Sequence, residues 1–133
     1  MTPRGLRNCN PLNIRKINIR PWLGEVRPGQ DAQFCQFQDM AHGYRAAMRI
    51  LQNYQRLYGL RTLRQIISRW APPSENDTHG YIDTVCHLTK WDSERALQLK
   101  QKEQMIPLVS AMSQVENGRK ANLEEVEAGW MLL

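Results

Sequence analysis

The strongest constraint on the fold is the apolar pattern of residues 40–58. Large apolar side chains recur there every three or four residues, which is the spacing of a helix face. They form two adjacent stripes, made of Tyr44, Met48 and Leu51 and of Ala47, Ile50, Tyr54 and Leu57. Asp39 is placed to cap the first turn, and Gly59 suits the left-handed residue that ends a helix. We therefore predict a helix over 40–58 that packs on more than one side.

Capping signals predict further helices along the chain. Thr62-Leu63-Arg64-Gln65 is a capping box, and Pro72-Pro73 ends the helix that it starts. Another helix is expected from Asn76-Asp77-Thr78 to about residue 89, followed by a short helix over 94–101. The segment 103–116 is helical by pattern, with Pro107 in its first turns. The segment 119–133 is either a short final helix or a docked tail.

The N-terminal part of the chain has a different character. Arg27-Pro28-Gly29-Gln30 is a turn signal between two apolar stretches, so a small irregular hairpin is expected over 16–37. A chain of 133 residues suits one domain. We predict a mainly α domain over 1–133, with an Asn-rich turn and small β-hairpin at 1–38, a helical core at 39–118 and a C-terminal tail at 119–133.

Composition excludes several classes of function. The chain has no apolar run long enough to span a bilayer and no signal peptide, so we expect synthesis in the cytoplasm. Cys9, Cys35 and Cys86 lack the spacing of zinc ligands and are interpreted as free thiols. The histidines are scattered, and no phosphate-binding glycine loop or serine-hydrolase motif occurs. We therefore expect no metal and no cofactor.

Charge is distributed unevenly between the two halves of the chain. Residues 1–69 contain 12 Lys and Arg against 3 Asp and Glu, whereas residues 70–133 contain 6 against 10. The N-terminal half is therefore expected to face an anionic partner. Nucleic acid and bacterial wall polymers both qualify, but the absence of a basic run or a nucleic-acid fold signature makes nucleic acid the weaker candidate.

An Asn-rich segment near the N-terminus fits no regular element. It reads Arg4-Gly5-Leu6-Arg7-Asn8-Cys9-Asn10-Pro11-Leu12-Asn13-Ile14-Arg15. Because Asn side chains bind neighbouring backbone and Pro fixes one backbone angle, we expect a structured turn. Such a turn either presents its amides to a polar ligand or simply closes the N-terminus as a capped loop.

Glu116 is the strongest candidate for acid–base chemistry. It lies one helical turn beyond Met112, at the end of the predicted helix and beside its buried stripe. Partial burial and the negative end of the helix dipole would both raise the pKa of this carboxyl, as a general acid requires. The alternative is a solvated Glu before an Asn-Gly cap.

Several of these motifs resemble those of one family. The N-terminal segment resembles the Arg-Gly-Ile-Arg-Asn-Asn-Asn-Pro-Gly-Asn-Ile opening of phage and prophage proteins that are related to lysozyme-like peptidoglycan hydrolases and are sometimes described as phage structural proteins. Matches to the same family also occur at Trp22-Leu23-Gly24, at Gly43-Tyr44-Arg45-Ala46 and from Arg69 to Thr78, continued by Tyr81. The run Ser113 to Gly118 resembles the helix-ending Glu-Ser-Gly of lytic transglycosylases. Cys9 and Leu12 depart from the family pattern, and a left-handed conformation is costly for Leu12, so the turn geometry is expected to differ.

The resemblance implies a lysozyme-like helical domain that cleaves peptidoglycan glycan strands as a muramidase, glucosaminidase or lytic transglycosylase. The Asn-rich segment comes first and the Glu-bearing helix last, which suggests a circularly permuted lysozyme-like core and predicts that Glu116 lies beside Asn8–Asn13. In this interpretation Glu116 is the general acid and Glu75 a second catalytic candidate. The expected substrate-binding residues are Asn8, Asn10, Asn13, Trp22, Tyr44, Trp70, Asn76 and Tyr81.

Three of these residues have a structural alternative. Trp22 either lines a groove or fills the small lobe, Tyr44 belongs either to the groove or to the core, and Glu75 could cap the following helix. The alternative function is a non-catalytic virion or wall-binding protein that retains the fold. The expected partners are accordingly peptidoglycan strands or phage virion components, and the expected location is the virion or, after release, the cell wall.

Overall fold

The computed structural model describes residues 1–17 and 19–133 and shows a mainly helical protein. Its helices are α1 (Arg4–Arg7), α2 (Met40–Tyr58), α3 (Leu63–Trp70), α4 (Thr78–Thr89), α5 (Lys102–Asn117) and α6 (Leu123–Met131). Within these described ranges, no helix has both the length and the apolar character needed to cross a bilayer.

The predicted caps fix the helix boundaries. Asp39 accepts a hydrogen bond from the backbone N–H of His42 at 2.9 Å, and α2 ends at Gly59 with φ of 64°. Thr62 and Gln65 form the reciprocal capping box of α3. Asp77 accepts from the backbone N–H of Gly80 at 3.0 Å and caps α4. The helices predicted over 40–58, 63–70, 77–89 and 103–116 are therefore confirmed to within a residue or two.

The core lies between α2 and the C-terminal helices. Helix α2 packs against α5 and α6, and α4 packs against α3 and α5. Close approach of α6 to α2 requires Gly129, because a Cβ there would lie 2.7 Å from the Cβ of Tyr44. The C-terminal segment is thus a helix packed on α2.

The short helix predicted over 94–101 does not form. This segment is extended and turned, and its backbone pairs with the start of α3, for example from Leu97 N–H to the carbonyl oxygen of Arg61 at 2.8 Å. Leu97 and Leu99 are both buried, which is the two-residue spacing of an extended chain. The Gln55 side chain bonds the Leu97 carbonyl and the Leu99 N–H, so this extended backbone is satisfied without a helix.

The predicted hairpin over 16–37 is replaced by an irregular loop; Asn18 of that prediction lies outside the described residues. Isolated antiparallel bridges join Arg15 to Phe34 and Glu25 to Phe37, and no longer ladder forms in the described part of this loop. Pro21 and Pro28 lack the N–H that a ladder requires. Asp31 instead organises the loop, because its carboxylate accepts bonds from the backbone N–H groups of residues 33 and 34.

The Asn-rich segment begins with α1, a single helical turn that the sequence pattern did not indicate. Its Arg4 guanidinium binds Asp31 at 2.5 Å, which holds the pKa of that carboxyl well below its usual range. The turn that follows rests directly on α2. A Cβ at Gly43 would lie 2.7 Å from the Pro11 ring and would collide with the carbonyl oxygen of Cys9.

Replacing Gly43 with Ala should therefore destabilise the protein, even though Ala is the better helix former. Overpacking of this kind typically costs about 1–3 kcal/mol, and we expect a loss of that order in urea unfolding. Gly59→Ala is the comparison, since a Cβ there meets nothing within 4 Å and adds only the left-handed strain of about 1–2 kcal/mol. Wild-type stability of Gly43→Ala would contradict the close contact between α2 and the turn.

Candidate active site

The Glu116 carboxylate joins the two ends of the chain. Its Oε1 accepts a hydrogen bond from Asn13 Nδ2 at 2.8 Å, across 103 positions of sequence, and its Oε2 accepts from the Tyr81 hydroxyl at 2.9 Å. The Asn-rich turn, α4 and α5 therefore converge on one half-buried carboxyl group. The predicted proximity of Glu116 to the segment Asn8–Asn13 is confirmed.

Burial dominates the electrostatics of this group. It raises the pKa of Glu116, whereas hydrogen bonds from Asn13, Tyr81 and Trp70 stabilise the carboxylate and lower it; the net direction is upward. The position of Glu116 at the C-terminal end of α5 acts in the same direction as burial. Burial and the nearby Glu116 charge raise the pKa of Tyr81, so this hydroxyl remains a hydrogen-bond donor at neutral pH.

Asn13 reaches the carboxylate because it adopts a left-handed conformation, with φ of 54°. Cys9, with φ of 51°, is the other left-handed residue of the turn. Asn tolerates this region better than most residues, because its short polar side chain can bond locally. Leu12 avoids the strain that was expected at its position, and its side chain is buried in the core.

Asn8 and Asn10 hold the turn and do not face a ligand. Asn10 is fully buried: its Nδ2 donates to the carbonyl oxygens of Ile14 and Cys35, and its Oδ1 accepts from Ile14 N–H. Asn8 is also buried and donates to Asp31 at 3.1 Å. Both side chains are buried and serve internal contacts, so their predicted substrate contacts stay a prediction that this geometry does not support.

Asn117, which follows Glu116 in the sequence, fixes α5 to the Asn-rich turn. Asn117 is buried, and its Nδ2 donates to the Pro11 carbonyl at 2.8 Å and to the Ser113 carbonyl at 3.0 Å. Gly5 packs against the same group, since a Cβ there would lie 2.8 Å from Asn117 Oδ1. These contacts hold the Glu116 backbone relative to Asn13 within a rigid assembly.

Tyr44 belongs to the core. Only 1% of it is exposed, and its hydroxyl bonds Ser113 Oγ at 2.8 Å. The structure thus places Tyr44 where the structural alternative expected it, in the core, and not in the wall of a groove. Burial raises the pKa of this hydroxyl, which keeps it protonated in its contact with Ser113.

A groove of about 810 Å³ lies in front of the carboxylate. We call it the aromatic groove, because its wall carries Trp22, Tyr54, Tyr58 and Trp70. Asn13 and Trp70 both line this groove and also hydrogen-bond Glu116, so the carboxylate lies directly behind the wall. Rings of this kind offer flat apolar faces with polar edges, which suit the faces of sugar rings.

Tyr54, Tyr58 and Arg69 are groove residues that the sequence analysis missed. The Tyr54 and Trp70 rings meet edge to face with centroids 6.3 Å apart, and the Arg69 guanidinium lies 3.9 Å from the Tyr58 centroid. The sequence does contain a signal for Tyr54 and Tyr58: their four-residue spacing places both side chains on one face of α2.

Of the remaining predicted site residues, Glu75 and Trp22 line the groove and Asn76 does not. Glu75 lines it from the exposed turn between α3 and α4, and Asp77 rather than Glu75 caps α4. Asn76 is exposed, and its amide donates to the Pro72 carbonyl at 3.3 Å within the same turn. Trp22 lines the groove while also packing against the core, so both of its proposed roles are present.

Comparison with known proteins identifies a relative from a phage. No family model matches the chain. The chain is 39% identical over 130 residues to Protein P5 of Pseudoalteromonas phage PM2, a match that covers 96% of this chain and 79% of that protein. The chain belongs to the family of this phage protein. Because the match covers nearly the whole chain, the segments that contribute Asn13 and Glu116 to the site are part of the family similarity.

Tyr81→Phe tests the electrostatic balance at Glu116. The substitution keeps the buried ring and removes one donor to the carboxylate, so the pKa of Glu116 should rise above its wild-type value. The carboxyl carbon of Glu116, assigned by its loss in Glu116→Gln, can be titrated by NMR in both proteins. A lower or unchanged pKa would mean that the hydroxyl does not stabilise the carboxylate.

The raised pKa of Glu116 also predicts how stability depends on pH. The folded state holds this proton more tightly than the unfolded chain, so the stabilisation is fully present below the ordinary pKa of 4.5 and is lost as pH rises through the raised value. The melting temperature of wild type relative to Glu116→Gln should therefore fall as pH increases over this window. A difference that rises with pH would show that the hydrogen bonds outweigh burial.

Proposed function

We propose that this phage-family protein cleaves the glycan strands of peptidoglycan, with Glu116 as general acid. The observation that carries the proposal is a half-buried carboxyl group with a raised pKa, placed directly behind a groove lined by aromatic rings. Cleavage of a glycosidic bond requires a proton donor for the leaving oxygen, and a carboxyl group with a raised pKa is suited to that role.

The Tyr81 hydroxyl can accommodate both charge states of Glu116. It lies 2.9 Å from Glu116 Oε2 and 3.5 Å from the Met112 carbonyl oxygen. When the carboxylate is ionised, the hydroxyl donates to it. When the carboxyl is protonated, the Tyr81 hydroxyl can instead donate to the Met112 carbonyl oxygen. The proton on Glu116 is then available to the substrate. The acid can thus lose and regain its proton without a buried hydroxyl losing its partner.

After the leaving oxygen is protonated, the reaction can be completed by either of two routes. Glu75 is a carboxylate that lines the aromatic groove, and it could activate a water molecule in hydrolysis. In a lytic transglycosylase the substrate's own hydroxyl closes an anhydro ring, and Glu116 then acts alone. The two routes leave different products, because hydrolysis gives reducing ends and transglycosylation gives anhydro ends.

The proposed fold is a lysozyme-like core in permuted order. Its support is the contact between an N-terminal Asn-rich turn and a Glu-bearing helix end near the opposite end of the chain. The positive N-terminal half would draw the protein toward the anionic cell wall.

The decisive experiment is mass spectrometry of fragments released from purified peptidoglycan. Wild type should release muropeptides, and Glu116→Gln should reduce the rate by at least about 100-fold, the lower range for loss of a general acid. Glu103→Gln is the matched control, because it makes the same change at an exposed position on the same helix. Equal release by wild type and Glu116→Gln would refute the assignment of the acid.

A second candidate function is a non-catalytic virion or wall-binding protein. It is favoured by the hydrogen bonding of Glu116, since both carboxylate oxygens already have internal donors, as expected of a residue that ties segments together. This candidate predicts that wild type sediments with peptidoglycan or assembles with virion components but releases no fragments.

A further inference from the structure

A second groove, of about 930 Å³, lies beside the aromatic groove and has a different chemistry. We call it the basic groove, after the cations in its wall: Arg45, Arg49, Arg56 and Lys100. The arginines lie along α2 at intervals of four and seven residues, which places them on one helix face. Amide side chains line the wall between them, and the described lining contains no Asp or Glu.

These cations lack the carboxylate partners that other arginines of the protein have. Arg4, Arg27 and Arg64 each pair with an Asp or Glu. None of the ion pairs found in the described parts of the chain includes a cation of the basic groove.

Arg45 and Arg49 also act on each other. Arg45 and Arg49 lie four residues apart on α2, which places their side chains next to each other on one helix face. Burial and the positive charge of Arg49 both lower the pKa of Arg45. Arg45 Nε donates to the Leu132 carbonyl, so its terminal nitrogens are left for another acceptor. An anion between the two groups would relieve their repulsion and accept paired hydrogen bonds.

The two grooves are adjacent and share part of their walls. Trp22 and Asn53 line both of them, and α2 supplies tyrosines to one wall and arginines to the other. A polymer whose sugars lie in the aromatic groove would therefore direct its substituents past Trp22 into the basic groove. The exposed Gln98 side chain offers an amide to the peptide groups of such a substituent, whereas Gln52 Nε2 already donates to the Leu99 carbonyl at 3.0 Å.

We propose that the basic groove binds the carboxylate-bearing peptide substituents of a glycan strand, with Arg45 and Arg49 as specificity-determining residues. This inference rests on the proposed function, because it takes the glycan of the aromatic groove to be peptidoglycan. It adds that the protein distinguishes peptide-bearing strands from bare ones. A nucleic acid would also meet positive charge here, but the exposed Gln98 amide and the wall shared with the aromatic groove favour the peptide substituent.

The test measures binding in the Glu116→Gln background, so that binding and cleavage are separated. Peptide-bearing glycan strands and the same strands stripped of peptides by an amidase are titrated calorimetrically. Arg45→Gln and Arg49→Gln should each weaken binding of the peptide-bearing strand about tenfold, as for loss of one charge-assisted hydrogen bond, and leave the stripped strand unaffected. Arg61→Gln removes an exposed charge outside the groove and should change neither. Thermal unfolding confirms that each variant is folded.

The outcomes separate this inference from the proposed function. Equal weakening on both strands, or none on the peptide-bearing strand, would overturn the basic groove as a peptide site. Tighter binding of a single-stranded oligonucleotide, lost in the same variants, would also overturn it and assign the groove to nucleic acid. Selective weakening supports the inference even if wild type releases no fragments, in which case only the proposed cleavage fails.

Discussion

The structure depends on buried amides that hold the N-terminal turn against the end of α5. Asn117 bonds the Pro11 carbonyl, and Asn10 bonds the backbone of the turn itself. In a low-dielectric interior such bonds are costly to break, because each leaves a polar group without water. The position of the Asn13 amide, and with it the environment of Glu116, follows from these contacts. The turn has little regular structure, and hydrogen bonds from the Asn10 and Asn117 amides to its backbone hold it in place.

The local features of the fold could be predicted from the sequence. Capping residues and apolar periodicity mark helix α2 and the starts of α3 and α4, because these signals act over a few residues. The segment 94–101 was misassigned since its structure depends on a distant partner, the Gln55 side chain. Neither composition nor spacing within that segment reveals such a contact.

The candidate site was predicted only in part. Placement of Glu116 near the Asn-rich turn followed from the resemblance, and burial at a helix end could be inferred from the stripe ending at Met112. Three asparagines within six positions look alike in sequence, yet only Asn13 meets the carboxylate. Which amide turns inward depends on the left-handed residues Cys9 and Asn13, and the turn that contains them packs on α2 through Cys9 and Pro11. The role of Tyr44 depends in the same way on Ser113, far away in sequence.

The contact between Asn13 and Glu116 has a consequence for the biogenesis of the protein. Its two residues are separated by most of the chain, and contacts of such sequence separation form late, because a long loop must close first. During synthesis the turn leaves the ribosome long before α5 exists, so a nascent chain contains no assembled site. A fragment of the protein that is cut between the turn and α5 likewise lacks an assembled site. Any activity of this site would therefore begin only when translation has passed the end of α5.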